Sequence, residues 1–234
     1  MTSATPAWYS GSFGNVAHLG AARSPPLGDH GPVTSRPTAP ADAAPFCVLT
    51  VCTGNVCRSP AAERLLLARL GDGAGVVVSS AGTHALAGAP MTPQTAELVV
   101  QHGGDPGGFR ARQLDADLVT RADLVLTMTR AHRAAVVDLA PRAVGYTFTL
   151  RELARIVATL PSPVARHVGR PASEHLRSLR DVARGRRAAP ADPADDDVSD
   201  PYGRGGAAYG RTFDELVPAI DALTAAALPA HRSL

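Results

Sequence analysis

Cys52 and Arg58 bracket the loop in Cys52-Thr53-Gly54-Asn55-Val56-Cys57-Arg58-Ser59-Pro60. An apolar run, Phe46 to Val51, precedes this segment, and Ser59-Pro60 is a helix-start pair. In a strand, short loop and helix N-terminus, backbone N–H groups converge on one point and the helix dipole adds positive potential there. A thiol in such a field ionises readily, and an arginine grips two phosphate oxygens in its planar fork. The chemistry implied is a thiolate aimed at a bound phosphoryl group. Gly54 and Asn55 both tolerate the left-handed backbone that a tight loop needs. A buried strand cysteine near an unrelated surface arginine would produce the same spacing by chance. The flanking strand and helix signals favour the loop.

From Phe46 onward, strands and helices alternate. A strand over Phe46 to Val51 is followed by a helix from Ser59 to Leu70, closed by Gly71. Val76 to Ser80 reads as the second strand, and Thr92-Pro93 as a capped helix start with Gly103 at its end. Asp123 to Thr127 reads as the third, with a helix running on to Leu139 before Pro141. Thr149-Leu150-Arg151-Glu152 has the form of a capping box. The last helix carries Phe213, Leu216, Ile220 and Leu223 on one face. This alternation predicts an α/β fold of three layers: a four-stranded parallel sheet with helices on both faces and the phosphate loop at the end of strand one. Ligands of such sheets bind at the carboxyl ends of strands, where Cys52 falls.

The order of motifs resembles the low molecular weight protein-tyrosine phosphatases of bacterial type, over about residues 45 to 228. Ser80-Ala81-Gly82-Thr83, Ala111-Arg112-Gln113-Leu114, Ala122-Asp123-Leu124-Val125-Leu126-Thr127-Met128 and Phe148-Thr149-Leu150-Arg151-Glu152 resemble successive family blocks. Asp197-Val198-Ser199-Asp200-Pro201-Tyr202-Gly203 looks like the loop that carries the family's general acid. The resemblance implies a cysteine-dependent phosphoric monoester hydrolase acting on phosphotyrosine proteins or aryl phosphates through a phosphocysteine, without cofactor or metal. Cys52 is then the nucleophile. Arg58 and the amides from Thr53 through Gly54, Asn55, Val56 and Cys57 bind the phosphoryl oxygens, and Asp200 is the acid. Pro201 restricts Asp200 to extended backbone. Ser59 donates to the thiolate, caps the helix, or does both.

Two positions depart from the family. Members often carry a histidine that bonds the loop asparagine, where this chain has Phe109, so the loop must be buttressed differently. The aromatic residue that packs the substrate ring in eukaryotic members has Leu86 as its counterpart, near His84. Tyr202 becomes the candidate for stacking on a phenyl ring. Cys57 either pairs reversibly with an oxidised Cys52 or packs its small side chain beneath the loop.

Composition bounds the rest. A formal charge of +2 in 234 residues argues against nucleic-acid or membrane binding, and all 23 basic residues are arginine. No apolar run reaches membrane-span length and no secretory leader is visible. The three cysteines make no disulfide framework, so a cytoplasmic location is expected. Residues 1 to 44 hold Pro6, Pro25, Pro26, Pro32, Pro37 and Pro40 among Ala, Ser, Thr and Gly and are expected to be a disordered tail. Residues 45 to 228 form the phosphatase domain, with a short tail over 229 to 234. Residues 161 to 196 read as an amphipathic helix, with Leu176, Leu179, Val182 and Ala183 inward and Arg177, Arg180 and Arg184 outward, then a solvated charged loop. Two other functions fit the same loop. An arsenate reductase using a small thiol is one, although no cysteine follows Cys57. A phosphate-binding module with weak catalysis is the other. The sequence does not give an oligomeric state.

Overall fold

Strand β1, Phe46–Cys52, is almost entirely apolar and almost entirely buried, as befits a strand enclosed on both faces of a parallel sheet. The computed structural model describes residues 44–160 and 170–228. Of the expected N-terminal tail at 1–44, residues 1–43 lie outside the described residues, as do the expected tail at 229–234 and positions 161–169. After β1 come α1 (Arg58–Leu70), β2 (Val76–Gly82), α2 (Pro93–Gln101), α3 (Ala116–Thr120), β3 (Leu124–Thr127) and α4 (Arg130–Leu139). A 3-10 turn at Pro141–Gly145 leads to β4 (Thr147–Thr149), α5 (Leu150–Ala158), α6 (Ala172–Arg184) and α7 (Gly206–Ala227). The four strands are all parallel, in the order β2-β1-β3-β4. No described helix is long and apolar enough to cross a membrane.

The two-residue period of β1 divides the core. Phe46, Val48 and Cys52 face a large cluster with α1, α2, α5, α6 and α7. Leu49 and Val51 face a smaller one with Val119 of α3 and Val136 of α4. Helices therefore cover both faces, as the alternation implies. The register sets Cys52 beside Gly82 and Val51 beside Thr127, so the carboxyl ends of three strands meet at the phosphate loop.

Local signals account for most boundaries. Gly71 ends α1 with φ 70°, a conformation open to glycine. Thr149 and Glu152 form the complete capping box of α5, an arrangement worth about 1 kcal/mol. Thr92, expected to cap α2, instead bonds Thr95 Oγ1 at 2.8 Å and caps no backbone N–H. Its partner is a side chain in the same turn.

The segment before the Asp200 loop departs from expectation in two ways. Arg177 and Arg180 of α6 are not merely solvated; their guanidinium groups lie 5.4 and 5.8 Å from the ring centre of the buried Phe46. They cover the ring with a weakly hydrated cation, while Val182 is only half-buried. The charged loop is not wholly solvated either. Asp196 is buried and takes a forked contact from Arg155 of α5 at 3.2 and 3.3 Å.

Candidate active site

The loop after β1 turns because Asn55 adopts φ 54°, the left-handed backbone its type accepts. Its carbonyls are tied outward. Cys52 O accepts from Thr83 N, Thr53 O from His84 N, Gly54 O from Leu86 N and Val56 O from Thr92 N, at 2.9 to 3.0 Å. Among the described residues, no N–H from Gly54 to Arg58 has a protein acceptor. With these carbonyls bonded elsewhere, the unpaired donors and the α1 N-terminus suit an oxyanion.

A chain of four side chains, Asn55, Ser59, Ser80 and Glu63, locks this shape. Asn55 Oδ1 accepts from the Arg112 amide at 2.8 Å, which assigns the orientation of the side-chain amide. Its Nδ2 then donates to Ser59 Oγ and Ser80 Oγ, both at 2.9 Å. Ser80 in turn donates to Glu63 Oε2 at 2.6 Å. This is how the loop is supported where Phe109 replaces a histidine. Phe109 is buried, with Arg64 5.8 Å from its ring centre. Gly82 of β2 lies under the loop, where a Cβ would collide with Thr53 O and crowd Asn55.

Cys52 and Arg58 come to one cleft of about 180 Å³, lined also by Thr53, Gly54, Val56, Cys57, His84, Leu86, Asp200 and Tyr202. Ser59 and Asn55 sit behind it, fully buried. Cys52 Sγ lies 2.9 Å from Ser59 Oγ. Because Ser59 Oγ accepts from Asn55, its own proton is free for the sulfur. Cys57 points elsewhere, 3.5 Å from Thr92 Oγ1 and 3.9 Å from the Tyr209 hydroxyl. Burial pushes its thiol up from the ordinary value, so Cys57 stays neutral where thiolates act.

Arg58 is 5% exposed. Its Nη1 donates to Val198 O at 3.1 Å, and Nη2 lies 2.7 Å from Asp200 Oδ2. Its buried Nε–H has no protein acceptor, which leaves that donor for a phosphate oxygen. Asp200 is half-exposed at the mouth. Tyr202 and Leu86, both well exposed, line the cleft, and His84 lines it as well.

The loop that carries Asp200 is pinned on several sides. Asp197 accepts from the Arg130 backbone N at 2.8 Å and from its guanidinium at 3.1 and 3.3 Å. Val198 N donates to Met128 O at 2.8 Å. Ser199 donates through N and Oγ to Glu215 Oε2 at 2.7 and 2.8 Å, and Thr212 Oγ1 donates to Ser199 O at 3.0 Å.

Sequence reasoning missed His132, Glu63, Ser80 and Gly82 as supports. His132 Nδ1 lies 2.8 Å from Thr129 Oγ1 and Nε2 lies 2.8 Å from Thr53 Oγ1. Thr129 Oγ1 also accepts the His132 backbone N–H at 3.2 Å, so Thr129 fixes the ring from one side and Thr53 holds its far nitrogen. Burial first, then Arg58, push His132 down to about 4, so the ring is neutral near pH 7. Glu63 had one local hint, its place one helical turn beyond Ser59 on the same face of α1. The others had none.

Known proteins bear on this geometry in three ways. Residues 47–163, half of the chain, match the family described as low molecular weight phosphotyrosine protein phosphatase. The chain is 44% identical over 106 residues to a probable low molecular weight protein-tyrosine-phosphatase, EpsP, of Ralstonia solanacearum, covering 45% of this chain and 71% of that one. Its fold matches the tyrosine phosphatase AmsI of Erwinia amylovora with TM-score 0.57 at 23% identity, over 81% of this chain and 98% of that chain. It also matches the YwlE arginine phosphatase of Geobacillus stearothermophilus with TM-score 0.56 at 28% identity, over 77% and 92%. The loop, the sheet that carries it and the matched span agree, and the chain belongs to the low molecular weight phosphotyrosine protein phosphatase family.

Proposed function

We propose that this phosphatase hydrolyses phosphotyrosine in proteins, and aryl phosphates generally, with Cys52, Arg58 and Asp200 as its reacting groups. The observation that carries the assignment is the convergence of these three on one cleft, with Cys52 at its amide-lined floor and Asp200 at its mouth. The Cys52 thiolate attacks phosphorus as the bond to the phenolic oxygen breaks. Arg58 and the amides from Thr53 to Arg58 stabilise the charge on the equatorial oxygens. Asp200 gives its proton to the leaving oxygen, then takes one from the water that attacks the phosphocysteine and expels the sulfur. The products are the phenol and inorganic phosphate.

The rim supports an aryl substrate. Tyr202 and Leu86 offer flat and apolar surface to a ring. The reductase and weak-binding readings gain no comparable support. The test uses the full chain with a phosphotyrosine peptide, a phosphoarginine peptide, an aryl phosphate and arsenate in parallel, with Cys52→Ser as control. Hydrolysis of the phosphotyrosine peptide above the others is expected. Cys52→Ser should lose turnover yet still bind inorganic phosphate, because cradle and Arg58 remain. An active Cys52→Ser would overturn the covalent route, and preference for phosphoarginine would overturn the substrate class.

A further inference from the structure

We infer that Glu63 is a positioning residue for the nucleophile, acting through the buried chain Ser80, Asn55 and Ser59; this rests on Cys52 being that nucleophile. The direction of each hydrogen bond follows from the partners. A carboxylate only accepts, so the Ser80 hydroxyl gives its proton to Glu63 Oε2 across 2.6 Å. Ser80 Oγ then accepts from Asn55 Nδ2 at 2.9 Å. The second Nδ2 proton goes to Ser59 Oγ at 2.9 Å, because Arg112 N occupies Asn55 Oδ1. Ser59 has one proton left and two acceptors in reach, Cys52 Sγ at 2.9 Å and Ala81 O at 3.4 Å. The shorter contact takes it.

Each link is sealed from water. Ser80 is 1% exposed, and Asn55 and Ser59 are fully buried. The Glu63 side chain itself is only 12% exposed. Chains of bonds in such surroundings polarise one another. Without Glu63, the Ser80 proton loses its acceptor inside the protein and the hydroxyl must turn. The Asn55 bond to Ser80 Oγ then loses the charged acceptor that polarises and orients it, while Asn55 still holds a left-handed backbone. Phe109 has no polar atom with which to replace it. Glu63 also makes an ion pair with Arg64, Oε1 to Nε at 3.4 Å, through the oxygen that Ser80 does not use.

The test compares wild type, Glu63→Ala, Glu63→Gln, Ser80→Ala and the Glu63→Ala/Ser80→Ala pair as full chains. The readouts are kcat and KM for an aryl phosphate, the rate of Cys52 alkylation by iodoacetamide at fixed pH, and melting temperature. Glu63→Ala should lower kcat and alkylation about three- to tenfold, the span of one ordinary hydrogen bond, with KM within about twofold. Glu63→Gln keeps an acceptor for Ser80 but loses the charge toward Arg64, and should recover most of the rate. The double variant should be no slower than either single one, since both cut the same chain. The idea fails if Glu63→Gln is as slow as Glu63→Ala, or if the two losses multiply. It also fails if alkylation is unchanged while only melting temperature falls. Should Glu63→Ala not fold, Ser80→Ala and Glu63→Gln decide alone: the first must be slow and the second near wild type. Since Cys52→Ser separately reports on the nucleophile, failure here leaves that assignment standing.

Discussion

Thr53 rests its carbonyl on Gly82, and the contact leaves no room for a Cβ at that position. The two belong to different structural units: Thr53 opens the phosphate loop and Gly82 ends β2, opposite Cys52 in the parallel register. Gly82 N also donates to Arg112 O, and Gly82 O accepts from Leu114 N, at 3.0 and 2.8 Å. Gly82 is thereby held between β1 on one side and residues 112–114 on the other.

Gly82→Ala should therefore displace the loop rather than the strand. The expected cost in stability is about 1–3 kcal/mol for overpacking. Activity should fall further, because a shift of about 1 Å in reacting groups costs on the order of a hundredfold. Urea denaturation and steady-state rates check the two separately. Wild-type activity in the variant would show that the loop tolerates the added methyl.

Asp200→Asn should slow the release of phenolates by about 10²–10⁴-fold, the usual worth of a general acid. Substrates whose leaving group departs without a proton should suffer less in the first step. Single-turnover rates across aryl phosphates of graded acidity give the slope to compare. An unchanged slope would place the acid elsewhere.

His132 makes stability depend on pH. Its folded value of about 4 lies below the ordinary 6.5, so between the two the unfolded chain binds the extra proton. Its contribution is complete above about pH 6.5 and declines as pH falls toward 4. The stability advantage of wild type over His132→Gln, followed by urea denaturation from pH 7 to 4, should shrink along that window. An advantage that grows on acidification would contradict the sign.

Asp196 and Asp195 are neighbours with different fates. Asp196 is buried against Arg155, itself one-third exposed, whereas Asp195 is exposed. Asp196→Asn should cost about 1–2 kcal/mol, the lower part of the range for a bond to a charged group. Asp195→Asn should change little, and thermal melts of the pair distinguish them.

Local chemistry is what the sequence made legible. Cys52 at a strand end, Asn55 in the left-handed region, Gly71 closing α1 and the Thr149–Glu152 box each depend on residues a few places apart. The short elements α3 and β4 carried too few residues for a periodic signal, and β4 runs straight into the cap of α5. The supports of the site were hidden for another reason. Ser80 meets Asn55 across 25 positions and His132 meets Thr53 across 79, and neither pairing leaves any spacing rule to read. Asp196 was misjudged because an acidic run looks alike whether or not an arginine of a distant helix waits for one member.

The Asp200 loop draws its anchors from α4 through Arg130 and from α7 through Glu215 and Thr212, and these helices belong to opposite layers of the sandwich. Asp200 thus sits where two layers are measured against each other, while Cys52 belongs to the sheet between them. A substitution far from the cleft that lets α4 creep along the sheet relative to α7 would alter the spacing of acid and sulfur without touching either. Mutations in the remote packing of those helices would then surface first as a loss of leaving-group protonation, with phosphate affinity intact.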